Sequence, residues 1–190
     1  EGAIKEVSEL LDKLVKAVKT AEGASSGTAA IGEVVADAAK VADKASVKGI
    51  AKGIKEIVEA AGGSEKLKAV AAAKGENNKE AGKLFGKAGA DANGDSEAAS
   101  KAAGAVSAVS GEQILSAIVT AAGAAEQDGE KPEEAKNPIA AAIGKGDGDD
   151  GADFGEDGMK KDDHIAAAIA LRGMAKDGKF AVKDDEKGKA

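Results

Sequence analysis

The chain has 190 residues, with no Cys, no Trp, no Tyr and a net charge of −7. That length suits a single domain, and the missing residue types exclude disulfides, thiolate nucleophiles and Cys-based metal sites. Residues 121–158 carry three lysines against eleven acids, and an acidic middle without a basic stripe argues against nucleic acid as a partner.

The hydrophobic fraction is 43%, but it comprises 45 Ala and only 34 Ile, Leu, Val and Phe together. So few large aliphatics fall below the ~20% level associated with disorder. The modest net charge and the helix propensity of Ala tip the balance to folded helices. Burying a large aliphatic side chain contributes roughly 1.5–3 kcal/mol and an Ala methyl far less, so modest stability and dependence on neighbouring segments are expected. No apolar run approaches the ~18–20 residues that span a bilayer. The chain starts at Glu1 without Met, signal peptide or lipid-acceptor Cys, and the expectation is a piece of something longer.

Ile4, Val7, Leu11, Leu14, Val18 and Ala21 step by three and four, an a/d seam that predicts a first helix, ended by Gly23 to Gly27. Ile31, Val34, Val35, Ala38 and Val41 predict a second from about Ala29 to Ala45. Val47, Ile50, Ile54, Ile57 and Ala61 predict a third, stopping at Gly62-Gly63. Gly49 and Gly53 inside it each cost ~1 kcal/mol relative to Ala. They suggest either close approach by a neighbouring backbone or a loosely packed helix.

Ser64 caps a shorter helix through Val70. Gly75–Asp95, with Leu84-Phe85 as its only anchors, reads as loops around one helical turn. Ser96 starts a helix on Ala99, Ala102, Ala103, Val106 and Val109. Ser110-Gly111-Glu112-Gln113 is a capping box for the next. Gln127–Lys136 is a polar loop. Asn137 as N-cap with Pro138 at the first helical position opens Ile139–Ile143, which Gly144 closes. The same five residues recur as Ile165–Ile169, with Asp162 and Asp163 as caps. The sequence therefore predicts an all-α bundle of about six to eight helices, with more than the usual ~30–35% of helix. The exposed surface falls to Gly/Asp-rich loops at 23–28, 75–95, 126–136 and 144–158.

Chemical motifs fail on inspection. Gly146–Gly151 satisfies G-x-G-x-x-G as letters, but a helix precedes it and its aspartates would repel pyrophosphate. Gly82–Ala88 lacks one residue between the P-loop glycines, and Ala stands where Ser or Thr should hold Mg²⁺. Asp147, Asp149, Asp150, Asp153, Glu156 and Asp157 could attract Ca²⁺, but the EF-hand register fails and a solvated acidic loop is the plainer reading. His164 is the only histidine. Its neighbour Asp163 points about 100° away on a helix, so no oriented acid–base pair forms. No catalytic residue, cofactor or metal is assigned, and the chain reads as a non-enzyme. Arg172 lies on the same face as the apolar Ile165, Ala168 and Ile169. A guanidinium buried there needs an acid or helix-end carbonyls as partners, unless it snorkels outward.

From Met159-Lys160-Lys161-Asp162-Asp163-His164-Ile165 through Ile169 and Leu171-Arg172-Gly173-Met174-Ala175-Lys176 to Lys179-Phe180-Ala181-Val182-Lys183, the chain resembles the invariant antigenic segment of the VlsE-type variable surface lipoproteins of Lyme-disease spirochaetes. Glu1-Gly2-Ala3-Ile4-Lys5 and Lys187-Gly188-Lys189-Ala190 resemble the edges of one recombination cassette. The resemblance covers essentially the whole chain. It implies a single cassette domain over 1–190, cut from a lipoprotein displayed at the outer membrane, changed by cassette recombination and met by host antibodies. The lipid anchor such proteins use to reach the membrane lies in flanks not contained in this sequence.

Two other classes compete with the surface antigen. A stress-protective hydration protein fits the Ala, Gly, Lys and Glu content but not the apolar seams. An adhesin for host glycosaminoglycan or matrix would use lysines such as Lys48, Lys52 and Lys55, against the net acidity. The apolar run in Ile165–Leu171 leaves no face for water, so this helix is expected inside the bundle, with Lys160, Lys161, Lys176 and Lys179 outside it.

Overall fold

A computed structural model describes residues 2–25, 32–35, 41–86, 92–124, 128–146 and 149–188. Helix takes up 57% of these residues and strand 2%, so the chain is an all-α protein.

The first helix, α1 (Gly2–Ala24), lies along α2 (Lys44–Ala60). Asp43 caps α2 by accepting from Ser46 N at 2.7 Å. The two glycines of α2 mark close approach. A Cβ at Gly53 would sit 2.7 Å from the Cβ of Ala21, and one at Gly49 would sit 2.5 Å from the Cβ of Ala24. The Ser46 hydroxyl also donates to the Ala24 carbonyl. The seam on α1 does not pack as its spacing suggests. Ala17 is the buried residue of this helix, and Ile4, Val7, Leu11 and Val18 remain exposed.

Of the second predicted helix, residues 32–35 and 41–43 are not helical, and Lys44–Ala45 belong to α2. Val34–Val35 form β1, paired in parallel with β2 (Phe180–Ala181) in the register Val34 to Phe180 and Val35 to Ala181. Residues 29–31 and 36–40 of that expectation lie outside the described residues. Val-Val satisfies helix spacing and strand preference equally, and a partner distant in sequence decides between them.

After α2 come α3 (Ser64–Lys68), a 3-10 helix at Lys79–Phe85, α4 (Ser96–Ser107) and α5 (Gly111–Ala122). Gly63, not Ser64, holds the N-cap of α3, without a side-chain bond. The capping box of α5 forms in full between Ser110 and Gln113. In α6 (Pro138–Ile143) the Asn137 side chain accepts from Ile139 N and Ala140 N, each at 3.0 Å. Gly144 leaves the helix at φ 80°, in the region that favours glycine.

The last helix, α7 (Asp162–Met174), is the axis of the core. Its Ile165 and Ala168 join one apolar cluster with Leu84, Phe85, Phe154, Met159, Phe180 and Val182. Its Ala167 and Leu171 join a second with Val47, Ile50, Ile118, Ile139 and Ile143. Serving both clusters is what a helix apolar on every side does. Among the described residues, no single helix is long and apolar enough to cross a membrane.

Candidate functional site: the buried C-terminal helix and the loops around it

Three devices hold α7 in place. At its N-terminal end Lys161 takes the cap position without a side-chain bond, so Asp162 and Asp163 are not caps as their sequence position suggests. Both are buried. Asp162 Oδ1 accepts from Asn78 Nδ2 at 2.9 Å, and Asp163 Oδ2 accepts from Ala73 N at 3.0 Å. These carboxylates tie residues 73–78 to the helix while lying at the positive end of its dipole. His164 faces the Gly158 carbonyl through Nδ1, a contact that orients the ring within its own segment.

The second device is Arg172, which has no solvent exposure. Its Nη1 donates to the carbonyls of Ala142 at 3.1 Å and Ile143 at 3.4 Å. Its Nε donates to the Lys179 carbonyl at 2.7 Å. The guanidinium carbon stands 5.5 Å from the centroid of the Phe85 ring, within cation–π range. A helix C-terminus offers carbonyls without intrahelical partners and partial negative charge, so the end of α6 is a natural seat for a cation. Burial lowers the Arg172 pKa to about 10, opposed by the charge of Asp149. Asp149 is itself buried, and its Oδ2 has no hydrogen-bond partner among the described residues. Burial pushes that carboxyl up, against a hydrogen bond from Gly151 N.

The third device is the return of the chain after α7. Phe180 N donates to the Glu33 carbonyl at 2.9 Å, Val182 N to Val35 at 3.1 Å and Lys183 N to Gly94 at 2.9 Å. The Phe180 ring meets Phe85 edge-on at 5.6 Å.

The residues singled out in sequence thus fall into two sets. Met159, Asp162, Asp163, Ile165, Arg172, Gly173 and Phe180 are buried, while Lys160, Lys161, His164, Ile169, Met174, Lys179 and Lys183 are half-buried. Of the four lysines expected outside, Lys176 alone is exposed, and Lys160, Lys161 and Lys179 are half-buried. Lys160 pairs with Asp157 at 3.0 Å and Lys179 with Glu33 at 3.1 Å.

The loops are less external than their composition suggests. Ala81, Leu84 and Phe85 in 75–95, Pro132 and Ala135 in 126–136, and Asp149 and Phe154 in 144–158 are buried. Phe85 and Phe154 meet edge-on at 5.3 Å. Residues 26–28, 87–91, 126–127 and 147–148 of these loops lie outside the described residues. What stays outermost is a set of short tips, such as 76–77, 133–134 and 155–157. Sequence reading missed Phe154 and Asn78, placed Asp149 in a solvated loop, and gave Phe85 no more than the part of a loop anchor. Rarity was the available signal for the rings: the chain has three Phe and no other aromatic, and rings carry the largest apolar area. The lysines suggested for an adhesin are partly neutralised, Lys52 by Glu56 at 3.7 Å and Lys55 by Glu59 at 3.8 Å.

A family model described as Borrelia lipoprotein matches residues 1–190. The chain belongs to that Borrelia lipoprotein family. Curated relatives include Variable large protein 17 of Borrelia hermsii, 41% identical over 190 residues, with 97% of this chain and 52% of the relative covered. Variable large protein 4 of the same organism is 39% identical over 189 residues, with 95% and 52% covered. The crystal structure of the Lyme disease variable surface antigen VlsE of Borrelia burgdorferi is similar at TM-score 0.96 and 91% identity, over 100% of this chain and 64% of that one. The chain therefore spans about half the length of the curated relatives it matches. These likenesses lend no support to the hydration-protein or adhesin readings.

Proposed function

We propose that these 190 residues are a single helical cassette domain of a non-enzymatic surface antigen. Its outer tips vary by recombination while a buried frame is kept, and host antibodies are its partners. The observation that carries this reading is the likeness of the whole chain to variable antigens of the Borrelia lipoprotein family. The partition of the molecule supports it. The segment similar to the family's antigenic constant region, Met159–Lys183, holds the central helix of the core, whereas tips such as 155–157 contact solvent and tolerate change. A lipid anchor in the flanking sequence would hold the domain at the outer membrane.

The test is to raise antiserum against the folded domain and apply it to intact spirochaetes carrying the gene, before and after mild surface proteolysis. Labelling that proteolysis removes, and that clones with altered tips escape, is the expected result. Labelling confined to permeabilised cells would overturn the surface reading.

A further inference from the structure

The first helix is apolar on two faces and covered on one. Ala17, Ala21 and Ala24 fall within an arc of about 60° at 100° per residue, and this small-residue face lies against Gly49 and Gly53 of α2. About 100° further round, Ile4, Val7, Leu11, Val15 and Val18 share an arc of about 80°. They are 76%, 55%, 55%, 53% and 50% exposed. Single exposed aliphatics are ordinary on a protein surface, but five on one stripe form a contiguous patch of the kind that marks an interaction surface. From Ile4 to Val18 that stripe is roughly 22 Å long, two thirds of the helix.

A helix with adjoining apolar faces is patterned for the inside of a bundle, and the three-four spacing of the bare stripe is the one another helix reads. The VlsE chain has more than a third of its length outside the stretch matched here, which is ample for such a helix. A second copy of the chain fits less well. Lys5, Asp12 and Lys19 follow one another along the polar edge of the stripe. Antiparallel self-pairing would set Lys5 against Lys19 and Asp12 against Asp12, and like charges so placed are repulsive. Parallel self-pairing would drive that edge into α2 of the other copy. A segment of the same polypeptide is also favoured by its high effective concentration.

We propose that the outer face of α1 seats a helical segment that lies outside these 190 residues in the longer polypeptide, closing a bundle on α1 and α2. This rests on the reading of the chain as one part of a longer surface antigen, but it does not depend on how antibodies meet that antigen. The segment has about fifteen residues, aliphatics at three-four spacing, acids facing Lys5 and Lys19, and a base facing Asp12.

The chain has no Cys, so single thiols report the face directly. Val15→Cys places one on the stripe, and Lys16→Cys places one on the far side of α1 as a reference. In the longer polypeptide, maleimide should modify Val15→Cys at least tenfold more slowly than Lys16→Cys, at a rate independent of protein concentration. In the 190-residue chain the two rates should be within threefold. Leu11→Glu should lower the melting temperature of the longer polypeptide and leave that of the 190-residue chain unchanged. Equal labelling of the two sites in the longer polypeptide would overturn the proposal. So would protection that appears only as concentration rises, which makes a second copy the occupant, or only on adding anionic lipid vesicles, which makes it a membrane. None of these results bears on whether antiserum labels intact cells, so the two readings fail separately.

Discussion

Arg172 in α7 donates to the carbonyl oxygen of Ala142 in α6 at 3.1 Å, and through that bond the last helix carries the end of the helix before it. The glycine after α6 belongs to the same arrangement. A Cβ at Gly144 would stand 3.0 Å from Arg172 Nη1, so the φ of 80° and the close guanidinium both call for glycine there. One buried cation thus satisfies carbonyls from three positions, Ala142, Ile143 and Lys179, and holds the returning chain where β2 can form.

Arg172→Ala should therefore be among the most damaging single changes, at about 3–5 kcal/mol, because it strands buried carbonyls and the carboxylate of Asp149 together. Arg172→Lys should recover little, since one ammonium cannot serve carbonyls on two sides as a planar guanidinium does. Urea unfolding followed by circular dichroism measures both. A loss below about 1 kcal/mol for the Ala variant would show that the cation is dispensable.

The buried Asp149 gives stability a pH dependence of defined sign. Burial raises its carboxyl pKa in the folded state, against the hydrogen bond from Gly151 N and the Arg172 charge. Between the ordinary carboxylate value and the raised one, the folded protein holds a proton that the unfolded chain has released. Stability then falls as pH climbs through that window. Arg172 has the opposite slope in alkali. Its folded pKa of about 10 lies below the ordinary guanidinium value, so stability rises as pH climbs from the first toward the second. Asp149→Asn should flatten the acid-side slope while keeping the hydrogen bond from Gly151. Urea midpoints measured across mildly acidic pH should diverge between the two proteins, and parallel curves would remove Asp149 as the source.

Where caps are local, structure could be read from the chain. The Ser110–Gln113 box and the Asn137-Pro138 start each lie within four residues, and the helices begin where they say. The partners of Arg172 were legible as a class, because a cation on an apolar face leaves few solutions. Gly49 and Gly53 settle on close approach once α1 is in place. Long-range effects escaped. Nothing near Val34-Val35 distinguishes a helix from a strand until Phe180-Ala181 lies beside it. Gly and Asp around Phe85 and Phe154 imitate exposed loops, yet the two rings meet inside. Asp162 and Asp163 stand where caps stand, but Asn78 and Ala73, far back in the chain, claim their oxygens.

That distinction gives a contrast within one loop. Phe154 has no exposure, and its ring packs on Phe85, so Phe154→Ala should cost about 3–5 kcal/mol, as in any core. Glu156, two residues on, is exposed, and Glu156→Ala should change stability by no more than about 0.5 kcal/mol. Thermal melts of the two variants suffice. Similar small losses for both would return the loop to the surface role its composition suggests.

The burial of α7 sets an expectation for antibodies against the peptide Met159–Lys183. Ile165, Ala166, Ala167, Ala168 and Leu171 are each 1% exposed or less, so an antibody that reads the helix must wait for it to open. If opening costs about 3 kcal/mol, apparent affinity for the folded domain drops about 100-fold, because only the open fraction competes. Antibody against the peptide should thus bind urea-unfolded domain far better than native domain. Antibody against the exposed tip at 155–157 should bind the two within a few-fold. Arg172→Ala should shift the first ratio toward unity by populating open forms, and leave the second alone. Surface plasmon resonance on native and denatured protein gives all of these values. Equal binding of the peptide antibody to the two forms would show that burial is not what shields this segment, and the tips would lose their special standing as the face that antibodies meet.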